Sequence, residues 1–271
     1  MGANSKIEWT DHSWNPWYGC HKISQGCKHC YMFREQARYG RDPNLVQRSR
    51  TTFKAPLNWA KKARRSGERM KIFTCSWSDF FIEEADPWRG EVWDIIRATP
   101  ELVYLILTKR PERISECLPA DWGAGWPHVW LGVSVEDQAS ADLRIPYLMR
   151  IPTYHRFISA EPLIGPLDWS ISAARVTSND NFNFLNARQT YMIDWVIAGG
   201  ESGPLDRPCH PAWVRMLRDQ CAAARVPFFF KQWGEWLPSE AHGLEVEYLG
   251  VGRKLAGHML DGVEWRQCPQ F

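Results

Sequence analysis

Residues 102–110 read LVYLILTKR, six apolar side chains in unbroken succession followed by Thr108, Lys109 and Arg110. A strand with one wet face alternates apolar and polar residues, whereas an unbroken run belongs to a strand covered on both faces, as in a parallel sheet layered with helices. Five other stretches repeat the pattern: MKIFTCS (70–76), VWLGVSV (129–135), HRFISA (155–160), WVIA (195–198) and PFFFK (227–231). Helix candidates lie between them at 44–65, 87–99, 111–118, 138–150 and 211–224. Pro87, Pro111 and Pro211 stand where a helix accepts a residue without an N–H. Strands alternating with helices imply right-handed crossovers and an α/β sheet, either open or curled into a barrel.

The ends of the runs favour the barrel. Each closes on a polar cluster: Ser76-Trp77-Ser78-Asp79, Thr108-Lys109-Arg110, Ser134-Val135-Glu136-Asp137, Ser159-Ala160-Glu161, Gly199-Gly200-Glu201-Ser202 and Lys231-Gln232-Trp233. One polar tip is often only a helix cap. Six in succession imply a shared site at the C-terminal mouth of a barrel. The Asn-rich stretch 170–190 reads as a surface excursion, and 235–271, with Gly-bounded alternating segments, as a small β extension after a barrel spanning 1–234.

Composition bounds the function classes. The 271 residues include 44% apolar side chains, sixteen Trp and eight Cys, which excludes disorder as the overall state. No apolar run approaches the roughly 20 residues that a membrane span needs. The N-terminal MGANSKIEWTDHSWNPW lacks the apolar stretch of a secretory signal, so a cytoplasmic protein with reduced thiols is expected. The net charge of +2 is unevenly spread. Residues 34–71 hold twelve Lys and Arg against three acidic residues, a local +9, and the remainder carries −7. Such a segment is either a solvated helical face or a surface for a polyanion. Because it follows directly on a cysteine cluster, its charge is expected near the barrel mouth.

That cluster is WNPWYGCHKISQGCKHCYMFREQ (14–36), in which Cys20, Cys27 and Cys30 are spaced Cys-x6-Cys-x2-Cys between Gly19, Gly26 and a helix-forming run. Glycines let backbone amides approach a bound ion without a Cβ in the way. Three readings stand on the spacing alone. A zinc site would add His21 or His29 but lacks the second Cys-x2-Cys knuckle of a ribbon; an iron–sulfur cluster would use three thiolates and leave one iron open; or the thiols are coincidental. The other cysteines (Cys75, Cys117, Cys209, Cys221, Cys268) are scattered singly.

A three-cysteine loop after the first strand of a barrel resembles the radical S-adenosylmethionine superfamily, built on a partial (β/α)6 barrel. The phrases IEWTDHSWNPWYGCHKISQGCKHCY, LTKRPER, WLGVSVEDQ, ISAEPLIGP, AGGESGP…RP and FFFKQWGEW, spread over about residues 7–236, resemble a phage and prophage family of three-cysteine proteins placed as a divergent branch of it. There are departures. The superfamily spaces its cysteines CxxxCxxC, His29 stands where an aromatic normally precedes the third cysteine, and Tyr31 follows it. The Gly-Gly-Glu stretch expected after the second strand is replaced by Ser76-Trp77-Ser78-Asp79, while Gly199-Gly200-Glu201 comes four strands later.

The resemblance implies an α/β partial (β/α)6-type barrel and an enzyme in which Cys20, Cys27 and Cys30 hold a [4Fe–4S] cluster. The fourth iron would chelate S-adenosyl-L-methionine, and a one-electron donor such as flavodoxin would reduce the cluster. It further implies cofactor contacts from Ser76, Ser78 and Asp79 (amino group), Lys109 or Arg110 (carboxylate), and Ser134 and Glu136 (ribose). Glu161, Glu201 and Lys231, on late strands, are expected at the reacting substrate. Trp14, Trp17, Trp77 and Trp233 are either pocket walls or core. The basic segment and the tryptophans suit a nucleotide or nucleic-acid substrate, and the phage likeness points to a modified DNA base, for example an amino-acid-decorated thymine in DNA modified within the bacterial host. Radical repair of a damaged base and a non-catalytic, zinc-stabilised nucleic-acid-binding protein are the alternatives.

Overall fold

The structure, a computed structural model, describes residues 5, 7–169, 193–240 and 246–270; the stretch 170–190 lies outside them. The sheet is built from β1 (His12–Trp14), β4 (Met70–Thr74), β5 (Leu102–Thr108), β6 (Val129–Ser134), β7 (His155–Ala160), β8 (Trp195–Ala198) and β9 (Phe228–Phe230), side by side in that order and all parallel. It curls into a half-barrel, the expected α/β partial barrel. The six apolar runs are its last six strands. The first, β1, lies within TDHSW (10–14), too short and polar to stand out as a run. The helices are α1 (Tyr31–Arg38), α2 (Ala55–Ser66), α3 (Asp86–Arg97), α4 (Ile114–Cys117), α5 (Gln138–Arg150) and α6 (Pro211–Ala224).

Two expected helices are corrected. The 44–65 helix begins only at Ala55, with Pro56 in its first turn, where a residue without an N–H is best tolerated. Ahead of it, β3 (Gln47–Arg48) pairs antiparallel with β2 (Trp17–Tyr18), clamping the far end of the cysteine loop. The 111–118 helix is a 3-10 turn, Pro111–Arg113, followed by the single turn α4.

The two faces of the sheet have separate cores. Ile72, Tyr104, Ile106, Leu131, Val133, Ile158 and Val196 pack against Ala60, Val92, Ile96, Ile145, Leu148, Val214 and Leu217 of the helices. Trp14, Trp17 and Trp233 belong to this helix-side core and are not pocket walls. The concave face carries Phe73, Leu105, Trp130, Phe157, Trp195, Ile197 and Phe229, and Trp9 closes its lower end with ring contacts to Phe73, Phe157 and Trp195 at 4.7, 6.4 and 6.1 Å. Because side chains alternate along a strand, the concave face then continues upward through Leu107, Gly132, Ser159 and Gly199 to Lys109, Ser134, Glu136, Glu161 and Lys231. An aromatic floor thus passes into a polar mouth. After β9, β10 (Trp236–Ser239) pairs with β11 (Glu247–Gly250) and β12 (Met259–Leu260) with β13 (Val263–Glu264), and α7 (Arg253–Ala256) lies between. The tail then covers the free edge of β9, where the Phe230 and Gln267 amides donate to Trp265 and Phe228 carbonyls.

Three histidines are built into this fold in neutral form. His155 stacks on Trp130 at 4.2 Å, His128 stacks on Trp126 and donates from Nε2 to the Ile96 carbonyl, and His12 stacks on Trp59. Burial lowers the pKa of all three below the ordinary 6.5. Their contribution to stability is therefore complete above about pH 6.5 and is lost as the pH falls through the lowered values. His155→Phe keeps the stacked ring and removes the titration. Urea unfolding at pH 7.5 and 5.5 should show a smaller acid loss in this variant than in the parent protein, and equal losses would refute the assignment.

Candidate active site

The cysteine loop folds over the mouth because each of its turns is fastened to a strand tip. Gly19 takes a φ of +97°, which disfavours any side chain, and a Cβ there would sit 2.3 Å from the Leu45 carbonyl. The other flanking glycine works through space: a Cβ on Gly26 would lie 2.3–2.5 Å from the Glu136 carboxylate. Both glycines thus serve the packing of the loop. Cys27 ends a 3-10 turn (Gln25–Cys27), and Cys30 is the N-cap residue of α1. Cys20 and Cys30 are partly exposed and Cys27 is buried, within 3.6 Å of the Ser24 hydroxyl. Burial pushes the Cys20 thiol up to about 12, assisted by Asp79 and Cys30 and opposed by Arg110. Burial likewise raises Cys30, with Cys27 adding to it. Among the described residues no three His, Cys, Asp or Glu side chains close on a single ion position.

The segment after β4 is stitched to this loop. Asn15 Nδ2 donates to Ser76 Oγ (3.0 Å), and Asn15 Oδ1 accepts from the Trp77 amide (2.7 Å). Tyr31 donates to the Ser76 carbonyl (2.6 Å) and Ser78 to the Gly19 carbonyl (2.6 Å). Asp79 is 4% exposed and its carboxylate is fully engaged. Oδ1 accepts from Thr108 Oγ1 (2.7 Å) and the Phe81 amide (2.9 Å); Oδ2 accepts from the Lys109 amide (2.9 Å) and pairs with Arg110 (3.3 Å). Arg110, held in this way, points Nη1 at Cys20 Sγ (3.7 Å) and donates from Nη2 to the His21 carbonyl (3.1 Å).

Glu136, 1% exposed, is the centre of a second knot. Its Oε1 receives Lys109 Nζ (2.9 Å) and Ser24 Oγ (3.2 Å), and its Oε2 receives Arg144 of α5 (2.8 Å). Burial raises this carboxyl, but Lys109 and Arg144 outweigh it and hold the pKa below the ordinary value. Ser134 is buried beside it. Glu201 is gripped by Arg207 at 2.7 and 2.8 Å, and Arg207 also donates to the Gln25 carbonyl, so this pair pins the loop from the far side. Glu161 and Lys231 form an ion pair of 2.9 Å across β8.

The expected residues therefore assemble at one mouth in two kinds. Lys109, Glu161 and Lys231 keep partly exposed side chains, whereas the buried Ser76 is bonded to Asn15 through its hydroxyl and Asp79, Glu136 and Glu201 are consumed in holding the frame. Asn15, Ser24, Arg144 and Arg207 were not picked out from the sequence. The basic segment divides instead of gathering at the mouth. Arg41 lies over the rings of Tyr18 and Tyr39 near the loop, but α2 carries Lys61, Lys62, Arg64 and Arg65 down the flank toward the start of β4. There Arg64 pairs with Glu101, just ahead of β5.

Three soft thiol donors, one buried and two partly exposed and with the cations Arg110 and Lys109 nearby, fit an anionic iron–sulfur cluster, and a hydrogen bond to a ligand sulfur is one way a protein tunes such a cluster. Two solved single-residue variants of spore photoproduct lyase match 92% of this chain and 71% of theirs, with TM-scores of 0.52 and 0.53 at 11% identity, a likeness of fold alone. The chain belongs to the family described as Protein of unknown function (DUF5131), which matches residues 4–269. No curated protein matches it. Among the described residues no helix is long and apolar enough to cross a membrane.

Proposed function

We propose that this protein is a radical S-adenosylmethionine enzyme in which Cys20, Cys27 and Cys30 hold a [4Fe–4S] cluster and the substrate is a nucleobase, in DNA or as a nucleotide. The observation that carries the reading is the fastening of a three-thiol loop over the polar mouth of a half-barrel by Arg110, Tyr31 and Arg207. Bound there, the reduced cluster would supply the electron that splits S-adenosyl-L-methionine into methionine and a hydrogen-abstracting 5′-deoxyadenosyl radical.

The chain's own residues then divide the work. Arg110 offsets the thiolate charge at Cys20. Asn15 and Tyr31 hold the 76–78 segment, so that Ser76 faces the amino group of the cofactor while Ser78 and Asp79 brace it from behind. Glu136 fixes Lys109, whose remaining N–H donors serve the methionine carboxylate, and Ser134 lines the ribose side. Glu161 and Lys231 contact the substrate, and Glu201 acts through Arg207 to position the loop. We assign a base substituent in DNA, such as an amino-acid-decorated thymine, as the group modified or rearranged, with an external donor such as flavodoxin as reductant. The likeness to proteins titled spore photoproduct lyase favours a second reading, radical repair of a damaged base.

The test is anaerobic reconstitution with iron and sulfide, followed by reduction in the presence of S-adenosylmethionine. 5′-Deoxyadenosine is expected, and deuterium placed on the substrate base should appear in it. Protein that retains the cluster but releases no 5′-deoxyadenosine would overturn the proposal.

A further inference from the structure

The ion pair of Glu161 and Lys231 occupies a position that the framework of the site does not require. Glu136, Asp79 and Glu201 each satisfy their carboxylates with two or more donors that belong to the loop or its supports. Glu161, by contrast, has Lys231 Nζ as its one ion-pair partner among the described residues, and among them no hydrogen bond reaches its second oxygen. The two side chains are 14% and 24% exposed, open on the side of the mouth. They meet because Gly199, just past the end of the strand between them, has no side chain: a Cβ there would lie 2.8 Å from Glu161 Oε1 and 3.4 Å from Lys231 Cβ.

A second observation comes from one step deeper on the same strand. Ser159 is 1% exposed, and its hydroxyl oxygen is buried without a hydrogen-bond partner. It shares the concave face with Phe157 below and Glu161 above, opposite Ile197 in register. A buried hydroxyl without a partner is unusual and calls for one that arrives with a ligand.

Glu161 offers an acceptor, Lys231 spare donors beside it, and Ser159 a group that can act as either. We infer that Glu161 and Lys231 together read a substrate edge that carries a hydrogen-bond acceptor and a donor side by side, the Watson–Crick edge of a nucleobase, with Ser159 as a third contact. The inference rests on the nucleobase reading above and adds to it. An edge read in this way must be free of its complementary strand, so the base enters unpaired or extruded from a duplex.

The experiment is equilibrium binding, by calorimetry on the reconstituted protein, of the common 2′-deoxynucleoside monophosphates and of the counterpart of each methylated on the ring nitrogen of that edge. At least one parent nucleotide should bind, and its methylated counterpart should lose about tenfold or more. In Glu161→Met and Lys231→Met the difference between parent and methylated ligand should collapse. The comparison within the unmutated protein needs no variant to fold. Equal binding of parent and methylated nucleotides, or discrimination that survives both substitutions, would overturn edge recognition and leave the nucleobase reading standing. Binding of none of the nucleotides would overturn both, and formation of 5′-deoxyadenosine would then show whether the radical chemistry stands without them.

Discussion

Cys30→Ala is expected to purify without its iron–sulfur chromophore after reconstitution and to lose 5′-deoxyadenosine formation altogether. Loss of an outer-shell partner commonly costs a metal site about 10–100-fold, and loss of a ligand itself costs more. The fold should survive, because Cys30 serves α1 only as an N-cap residue that makes no side-chain cap hydrogen bond. Cys20→Ala and Cys27→Ala should behave alike, whereas Cys268→Ala, at an exposed thiol outside the mouth, should retain iron and activity. Iron and sulfide analysis with the absorption spectrum decides the matter. Retention of a full cluster by Cys30→Ala would remove that residue from the ligand set.

Glu136→Ala should produce the largest loss of stability. The carboxylate is the common counter-charge for Lys109 and Arg144, and the Glu136–Arg144 pair is almost wholly buried. Deleting one member of a buried ion cluster strands the others and costs about 3–5 kcal/mol, a fall in Tm of about 10 °C for a chain of this size. The same substitution frees the wall on which Gly26 rests, so iron retention should fall as well. Glu136→Gln, which keeps the hydrogen-bonding shape, should lose less. Because the two cations hold the Glu136 pKa below its ordinary 4.5, the advantage of the natural residue over Gln is complete above that value and disappears as the pH falls through the lowered one. Differential scanning fluorimetry across pH tests both the size and the sign. A Glu136→Ala protein within about 1 kcal/mol of the parent would show that the knot is not stabilising in this way.

Much of the fold was legible because buried parallel strands leave a signature that no neighbour can disguise. LVYLILT is β5 residue for residue, and HRFISA and WVIA are β7 and β8. β1 escaped because its His12 and Ser13, though buried, are polar residues in a three-residue strand. The misread helix at 44–65 carried a pointer to its correction in Pro56, which is best accommodated in the first turn of a helix. At the site, the three thiols were visible as spacing. Their supports were not, because Arg207 reaches Gln25 from 182 positions away and Arg110 reaches Cys20 from 90. The strand tips announced a polar mouth but not which charges would be spent on one another. Glu136, Asp79 and Glu201 look as available in sequence as Glu161 does, and only the packing separates them. The basic segment misled for a related reason: net charge over a stretch says nothing about which way α2 carries it.

The most direct measurement is electron paramagnetic resonance of the reconstituted, dithionite-reduced protein before and after addition of S-adenosylmethionine. The expected result is the signal of a reduced [4Fe–4S] cluster whose g-values shift when S-adenosylmethionine is added, as the proposed binding of the cofactor to the cluster requires. A colourless protein carrying zinc in place of iron, or a cluster whose spectrum is indifferent to S-adenosylmethionine, would contradict the assignment of Cys20, Cys27 and Cys30.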